Sequence, residues 1–171
     1  EACYSLYELL DGNPMYITRR GHESFIRRDS NFRIVGSQNT EGRGDPRGLH
    51  HGRSYQDEAW LDRWEQTIRV DYPNEDNETL ILRKRTGLSE KHVRRIVRCA
   101  ERIRSALTSN SIMFGMTMRR SQKVAGNIAA GYTPEKAWQF AVTNRATPED
   151  QSAINEILQR VYGTDLKKRP K

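Results

Sequence analysis

Three polar residues are of the types that chemistry on a phosphate uses. Asn39 follows the short apolar run Phe32, Ile34, Val35, which is bounded by polar residues as a buried strand would be. In open α/β sheets, ligands lie just beyond the carboxyl ends of the strands. An Asn amide there both donates and accepts, so it can orient a water against a phosphoryl oxygen. Arg63 ends a short helical segment, Asp57 to Arg63, ahead of a second apolar run from Thr67 to Val70. A guanidinium is always charged and forks onto phosphate oxygens. Arg119 and Arg120 fall in the first turn of a helix that Thr117 can cap. Each residue also has a plainer reading. Asn39 is a turn former, Arg63 pairs with Asp62 on the surface, and Arg119 and Arg120 are solvated.

The elements around these residues divide the chain. Leu6, Leu9 and Leu10 have helical spacing over residues 1–10, and Gly12 closes that helix. No N-terminal cap precedes it, so the chain is expected to begin inside a longer protein. Met15 to Thr18 and Phe25 to Arg28 read as a hairpin around Gly21, with Arg19, Arg20, Arg27 and Arg28 presenting charge. The glycine-dense stretch from Gly42 to Arg53 must be loop. Pro73 marks a boundary, because it cannot continue a ladder. Beyond it the patterns are helical. One helix runs from Glu75 to Thr86 with Gly87 as its stop. The next follows Ser89 and buries Val93, Ile96, Val97, Ala100, Ile103 and Leu107. Its arginines 94, 95, 98, 102 and 104 are assigned to the opposite face. Then come the Thr117 helix, two Thr-Pro-Glu helix starts at Thr133 and Thr147, and a last helix stopped by Gly163. Lys167 to Lys171 reads as a disordered basic tail.

The chain has 171 residues, is 35% hydrophobic and 30% charged, and carries a net charge of +7. That suits a polar globular protein of one domain or two small ones. No apolar run is long enough to cross a bilayer, and neither a membrane partner nor a signal peptide is expected. Cys3 and Cys99 form no Cys-x-x-Cys pair and suit a reducing, cytoplasmic compartment. His50 and His51 have no ligand-spaced companions, so no metal site is expected. The basic balance could mark nucleic acid, but no aromatic-interleaved patch supports that.

The ordered string Gln38-Asn39-Thr40-Glu41-Gly42, Gly48-Leu49-His50-His51-Gly52 and Leu61-Asp62-Arg63-Trp64 resembles the second half of the MoxR-type AAA+ ATPase module. Within that family it is similar to the CobS-like ATPase subunit of aerobic cobaltochelatase. The resemblance implies the C-terminal half of a P-loop α/β core over residues 1–72, a helical lid over 73–165 and a basic tail over 166–171. It implies that Asn39 is sensor 1 and that Arg63 is an arginine finger acting on the neighbouring subunit. Arg119 becomes sensor 2, with Arg120 as the alternative register. ATP and Mg²⁺ follow as cofactors, a homo-oligomeric ring as the assembly, and chelatase or VWA-type subunits as partners. In the cobaltochelatase group the work done is cobalt insertion into a corrinoid.

Two parts of such a motor are missing from the sequence. There is no Gly-x-x-x-x-Gly-Lys-Ser/Thr loop and no apolar strand ending in Asp-Glu. The 171 residues alone are therefore expected not to turn over ATP. The competing expectation is a non-catalytic lid-like module that binds a protein or nucleic acid. Steep salt dependence of binding would mark the nucleic-acid version.

Overall fold

The helical periodicity after Pro73 is realised as five α-helices packed on one core. The computed structural model describes residues 6–19, 22–38 and 57–169. These fall into two compact units, Glu1–Arg69 and Val70–Lys171.

The second unit contains α3 (Glu75–Thr86), α4 (Glu90–Thr108), α5 (Met118–Ala129), α6 (Pro134–Ala141) and α7 (Pro148–Tyr162). Their ends follow local chemistry. Asn74 caps α3 by accepting from Asn77 N at 2.9 Å. Acids fill its first turn and Arg83, Lys84 and Arg85 its last, which complements the helix dipole at both ends. Gly87 closes it with φ +71°, a conformation that costs glycine little. Thr117, Thr133 and Thr147 each accept a backbone N–H at the start of α5, α6 and α7. Ser89 holds the corresponding place before α4, but its hydroxyl makes no capping bond.

The core lies where the apolar stripes meet. From α4 it takes Val93, Ile96, Val97, Cys99, Ala100 and Ile103. Leu82, Val124, Ile128, Trp138, Ile154 and Leu158 close around them. Trp138 Nε1 donates to the Tyr162 hydroxyl at 3.3 Å, so the largest buried ring keeps its polar atom satisfied. On α3, Leu82 points inward, while Leu80 and Ile81 stay 47% and 40% exposed.

The segment after α7 is ordered up to the start of the basic tail expected from Lys167. Gly163–Lys167 forms a 3-10 turn with Leu166 buried. Asp165 accepts from Arg95 and Lys168, both at 2.9 Å.

The first unit contains α1 (Tyr7–Leu10), β1 (Met15–Arg19), β2 (His22–Ile26) and α2 (Glu58–Leu61). The expected hairpin forms, but its second strand is His22–Ile26 rather than Phe25–Arg28, with Met15 opposite Ile26 and Arg19 opposite His22. Arg28 does not project as hairpin charge. Its Nη1 donates to the Leu9 carbonyl at 3.4 Å and its guanidinium lies against Gly12. Trp60 packs between Tyr7 at 5.3 Å and Trp64 at 5.7 Å. Gly36 lies under Trp64 so closely that a Cβ there would come within 2.9 Å of the ring.

The two strands expected at Phe32–Val35 and Thr67–Val70 are absent. Neither segment forms a ladder, and the one sheet among the described residues is the β1–β2 hairpin. Val35, Ile68 and Val70 are 92%, 79% and 87% exposed. The physical reason is pairing. A strand buried on both faces needs neighbours to take its N–H and C=O groups, and no described segment supplies them.

Candidate functional site

The start of α5 is assembled from three elements, and it presents one arginine outward. The segment Ile112–Met116 leads into it. Asp150 on α7 fixes this segment by accepting from Met113 N at 3.1 and 3.3 Å. Arg120 is then drawn back onto the same segment. Its Nη1 donates to the Gly115 carbonyl, and its guanidinium lies 4.0 Å from the Phe114 ring centre. Burial and the nearby charge of Arg145 both push the Arg120 guanidinium below its ordinary range, with Tyr72 opposing. Ser121 is fully buried and donates to Glu78 Oε1 at 2.9 Å. Arg119 is exposed, and no hydrogen bond or ion pair engages it among the described residues. It is a cation at the positive end of a helix, where an anion would be bound.

Beneath this turn lies a buried ion pair. The Glu78 carboxylate on α3 is 0% exposed. Arg104 on α4 forks onto it, with Nη1 at 2.7 Å and Nη2 at 3.0 Å. Arg104 Nε also donates to the Met116 carbonyl at 3.0 Å. The Tyr72 ring covers the guanidinium at 3.9 Å. The carboxylate therefore accepts three bonds and the arginine donates three, which is what burial of such a pair requires.

Sequence reasoning placed Arg104 on the solvated face of α4 and did not single out Glu78. The signal was present in register. Arg104 follows Val93, Val97 and Ala100 along the apolar stripe, and Glu78 precedes Leu82 by one turn. A lone cation and a lone anion, each on the buried stripe of its helix, are candidates to meet.

Three of the other four arginines assigned to that face are engaged too. Arg94 reaches Glu90 at 2.9 Å, Asp76 at 3.0 Å and Glu75 at 3.3 Å. Arg98 reaches Glu75 at 3.1 Å and Arg95 reaches Asp165 at 2.9 Å. Much of the positive charge on α4 is met within the fold.

In the first unit, Arg63 follows α2 and turns back on its own unit. Its Nε lies 3.0 and 3.1 Å from the two Asp11 carboxylate oxygens. Its Nη1 donates to the Ala59 carbonyl, and its guanidinium sits 4.4 Å from the Tyr7 ring centre. The surface partner anticipated for it was Asp62; the one seen is Asp11. Asn39, His50 and His51 lie outside the described residues. Among the described residues, no cluster of three His, Cys, Asp or Glu side chains is placed to hold a metal. No helix there is long and apolar enough to cross a membrane.

Residues 78–164 match the family described as CbbQ/NirQ/NorQ C-terminal. The chain is also similar to a Sinorhizobium protein, the aerobic cobaltochelatase subunit CobS, with 30% identity over 149 residues. That alignment takes in 83% of this chain and 44% of the relative, so the chain spans less than half of the relative's length.

Proposed function

The chain belongs to the CbbQ/NirQ/NorQ C-terminal family of MoxR-type AAA+ proteins, and on that premise we propose that it is the lid-bearing C-terminal part of an ATP-driven ring motor. The observation that carries this reading is Arg119, exposed on the first turn of α5 while Arg120 and Ser121 beside it are tied inward. It has the placement expected of sensor 2, a cation that touches the nucleotide phosphates of its own subunit. Arg120 is a poor alternative, because the Gly115 carbonyl and Phe114 already hold it.

Asn39 serves as sensor 1 and Arg63 as the finger offered to the neighbouring subunit. Residues 1–72 then belong to the α/β core and 73–165 to the lid. The exposed Val35, Ile68 and Val70 support the core assignment. They are the side chains that two interior strands would bury once paired within a complete sheet.

Bound MgATP supplies the phosphoanhydride whose hydrolysis drives the motor. Arg119 fits its phosphates, being exposed and already at a helix N-terminus. No carboxylate cluster among the described residues fits Mg²⁺. The phosphate loop and metal-binding strand are therefore assigned to other parts of the protein, and the 171 residues alone do not hydrolyse ATP. By the name of its relative, the partner is a cobaltochelatase-type assembly; MoxR-type chaperone work is the variant of the same motor. A nucleic-acid module is the weaker reading, since Arg94, Arg95 and Arg98 are met by acids within the fold.

The test uses the complete polypeptide. Arg119→Ala is expected to weaken MgATP binding, and Asn39→Ala to slow turnover with ATP still bound. Full ATPase activity in the 171-residue chain, or unchanged nucleotide binding in Arg119→Ala, overturns the reading.

A further inference from the structure

We infer that Glu78, clamped by Arg104, is a positioning residue for nucleotide binding: through Ser121 it fixes the rotation of α5 that turns Arg119 outward. The inference rests on the reading of Arg119 as a phosphate-contacting residue. It adds Glu78, a buried residue of α3, to the machinery.

Two residues along an α-helix are separated by about 200° around its axis. Ser121 and Arg119 therefore point to nearly opposite sides of the first turn. Ser121 is held to Glu78 Oε1 at 2.9 Å and is 0% exposed. Whatever pins Ser121 inward points Arg119 outward. Glu78 cannot itself rotate away, because Arg104 holds both carboxylate oxygens at 2.7 and 3.0 Å. The same arginine holds the residue just before the cap, through the Met116 carbonyl at 3.0 Å. One guanidinium thus fixes both the entry to α5 and the anchor inside its first turn. Val124 and Ile128 bury the same face of α5 farther along the helix, and Ser121 is the buried polar anchor of its first turn. Arg119 is exposed there, and no hydrogen bond engages it among the described residues.

The alternative is that the pair merely stabilises the lid. The two differ in whether Ser121 acts through Arg119. MgATP affinity and turnover are measured on the complete polypeptide for Ser121→Ala, Arg119→Ala and the double variant. Unfolding midpoints are recorded for each. Ser121→Ala is expected to weaken MgATP binding roughly three- to tenfold, the size of one hydrogen bond. In the Arg119→Ala background it is expected to change binding less than about twofold, because residues acting as one unit are not additive. Arg104→Lys keeps the charge, loses the fork and gives the same pattern. If Arg119→Ala weakens binding but Ser121→Ala has no effect, or the same effect in both backgrounds, the positioning role falls and the nucleotide reading stands. If Arg119→Ala leaves binding unchanged, both fall together.

Discussion

Removing the Glu78 carboxylate is expected to cost the helical unit a large share of its stability. Glu78→Ala deletes the acceptor of three hydrogen bonds, two from Arg104 and one from Ser121. The Arg104 side chain is 13% exposed, so its charge is left largely without solvent. Breaking a buried pair by taking away one partner costs about 3–5 kcal/mol. Arg104 would keep the Met116 carbonyl and the Tyr72 ring, which favours the lower end, about 3 kcal/mol. Domains of this size are stable by about 5–15 kcal/mol, so the loss is a substantial fraction. Urea unfolding of the 171-residue chain, followed by far-UV circular dichroism, reads it. At a slope of about 1.5 kcal/mol/M, the midpoint of the helical unit should fall by about 2 M. Glu78→Leu combined with Arg104→Met removes both charges and should recover most of that loss. A Glu78→Ala variant within about 1 kcal/mol of the parent refutes the reasoning, because the pair would then be carrying no buried charge.

Three further outcomes are expected. In the complete polypeptide, Arg63→Ala should lower turnover by about 10³ or more while MgATP affinity stays near its starting value; equal loss of both argues against a finger serving the neighbour. Cys99 is fully buried, and burial pushes its thiol well above the ordinary range, so it stays protonated. Iodoacetamide should leave Cys99 unmodified in the folded chain, and intact labelling seen by peptide mass spectrometry under native conditions counts against the packing. The Lys168 and Arg95 partners of Asp165 hold its carboxyl down at about 2 from 3.8. A depressed folded value gives stability that is present above 3.8 and lost as pH falls through 2. Asp165→Asn should therefore flatten the decline in stability between pH 4 and pH 2, and an unchanged slope would place the acid loss elsewhere.

What could be read from the sequence differed between the two units for a physical reason. Each helix after Pro73 carries its own evidence: a cap, a periodic stripe and a stop lie within one segment. Asn74, Gly87, Thr117, Thr133 and Thr147 act through bonds to neighbours in sequence. Strand status is not local in this way. Phe32, Ile34 and Val35 have a strand's composition, yet pairing is decided by other segments. The site was legible in the same divided manner. Arg119 could be placed by counting from its cap. The Glu78–Arg104 contact spans α3 and α4, and the amphipathic rule that assigns charge to the solvent side pointed the wrong way for Arg104. Asp11 as the partner of Arg63 was further still from view, since no periodic pattern links residues so distant in sequence.

The contacts of Arg63 bear on whether it can act as proposed. A finger must leave its own unit to reach a neighbour's nucleotide, and here it begins with Asp11, the Ala59 carbonyl and the Tyr7 ring. The side chains of Arg63 and Asp11 are 28% and 41% exposed, so their ion pair is screened by water. Such a pair contributes about 0.2–1 kcal/mol. A cation over a partly exposed ring such as Tyr7 adds about 0.5–1 kcal/mol. The hydrogen bond to the Ala59 carbonyl adds about 0.5–1.5 kcal/mol, so giving up all three costs at most about 3.5 kcal/mol. A finger that accelerates phosphoryl transfer by about 10³ to 10⁵ supplies about 4–7 kcal/mol in the transition state. In the proposed role, that gain exceeds the cost of leaving the resting contacts when the transition state is reached. On that proposal Asp11 would serve as a resting partner for the guanidinium, held by an ion pair weak enough to give up.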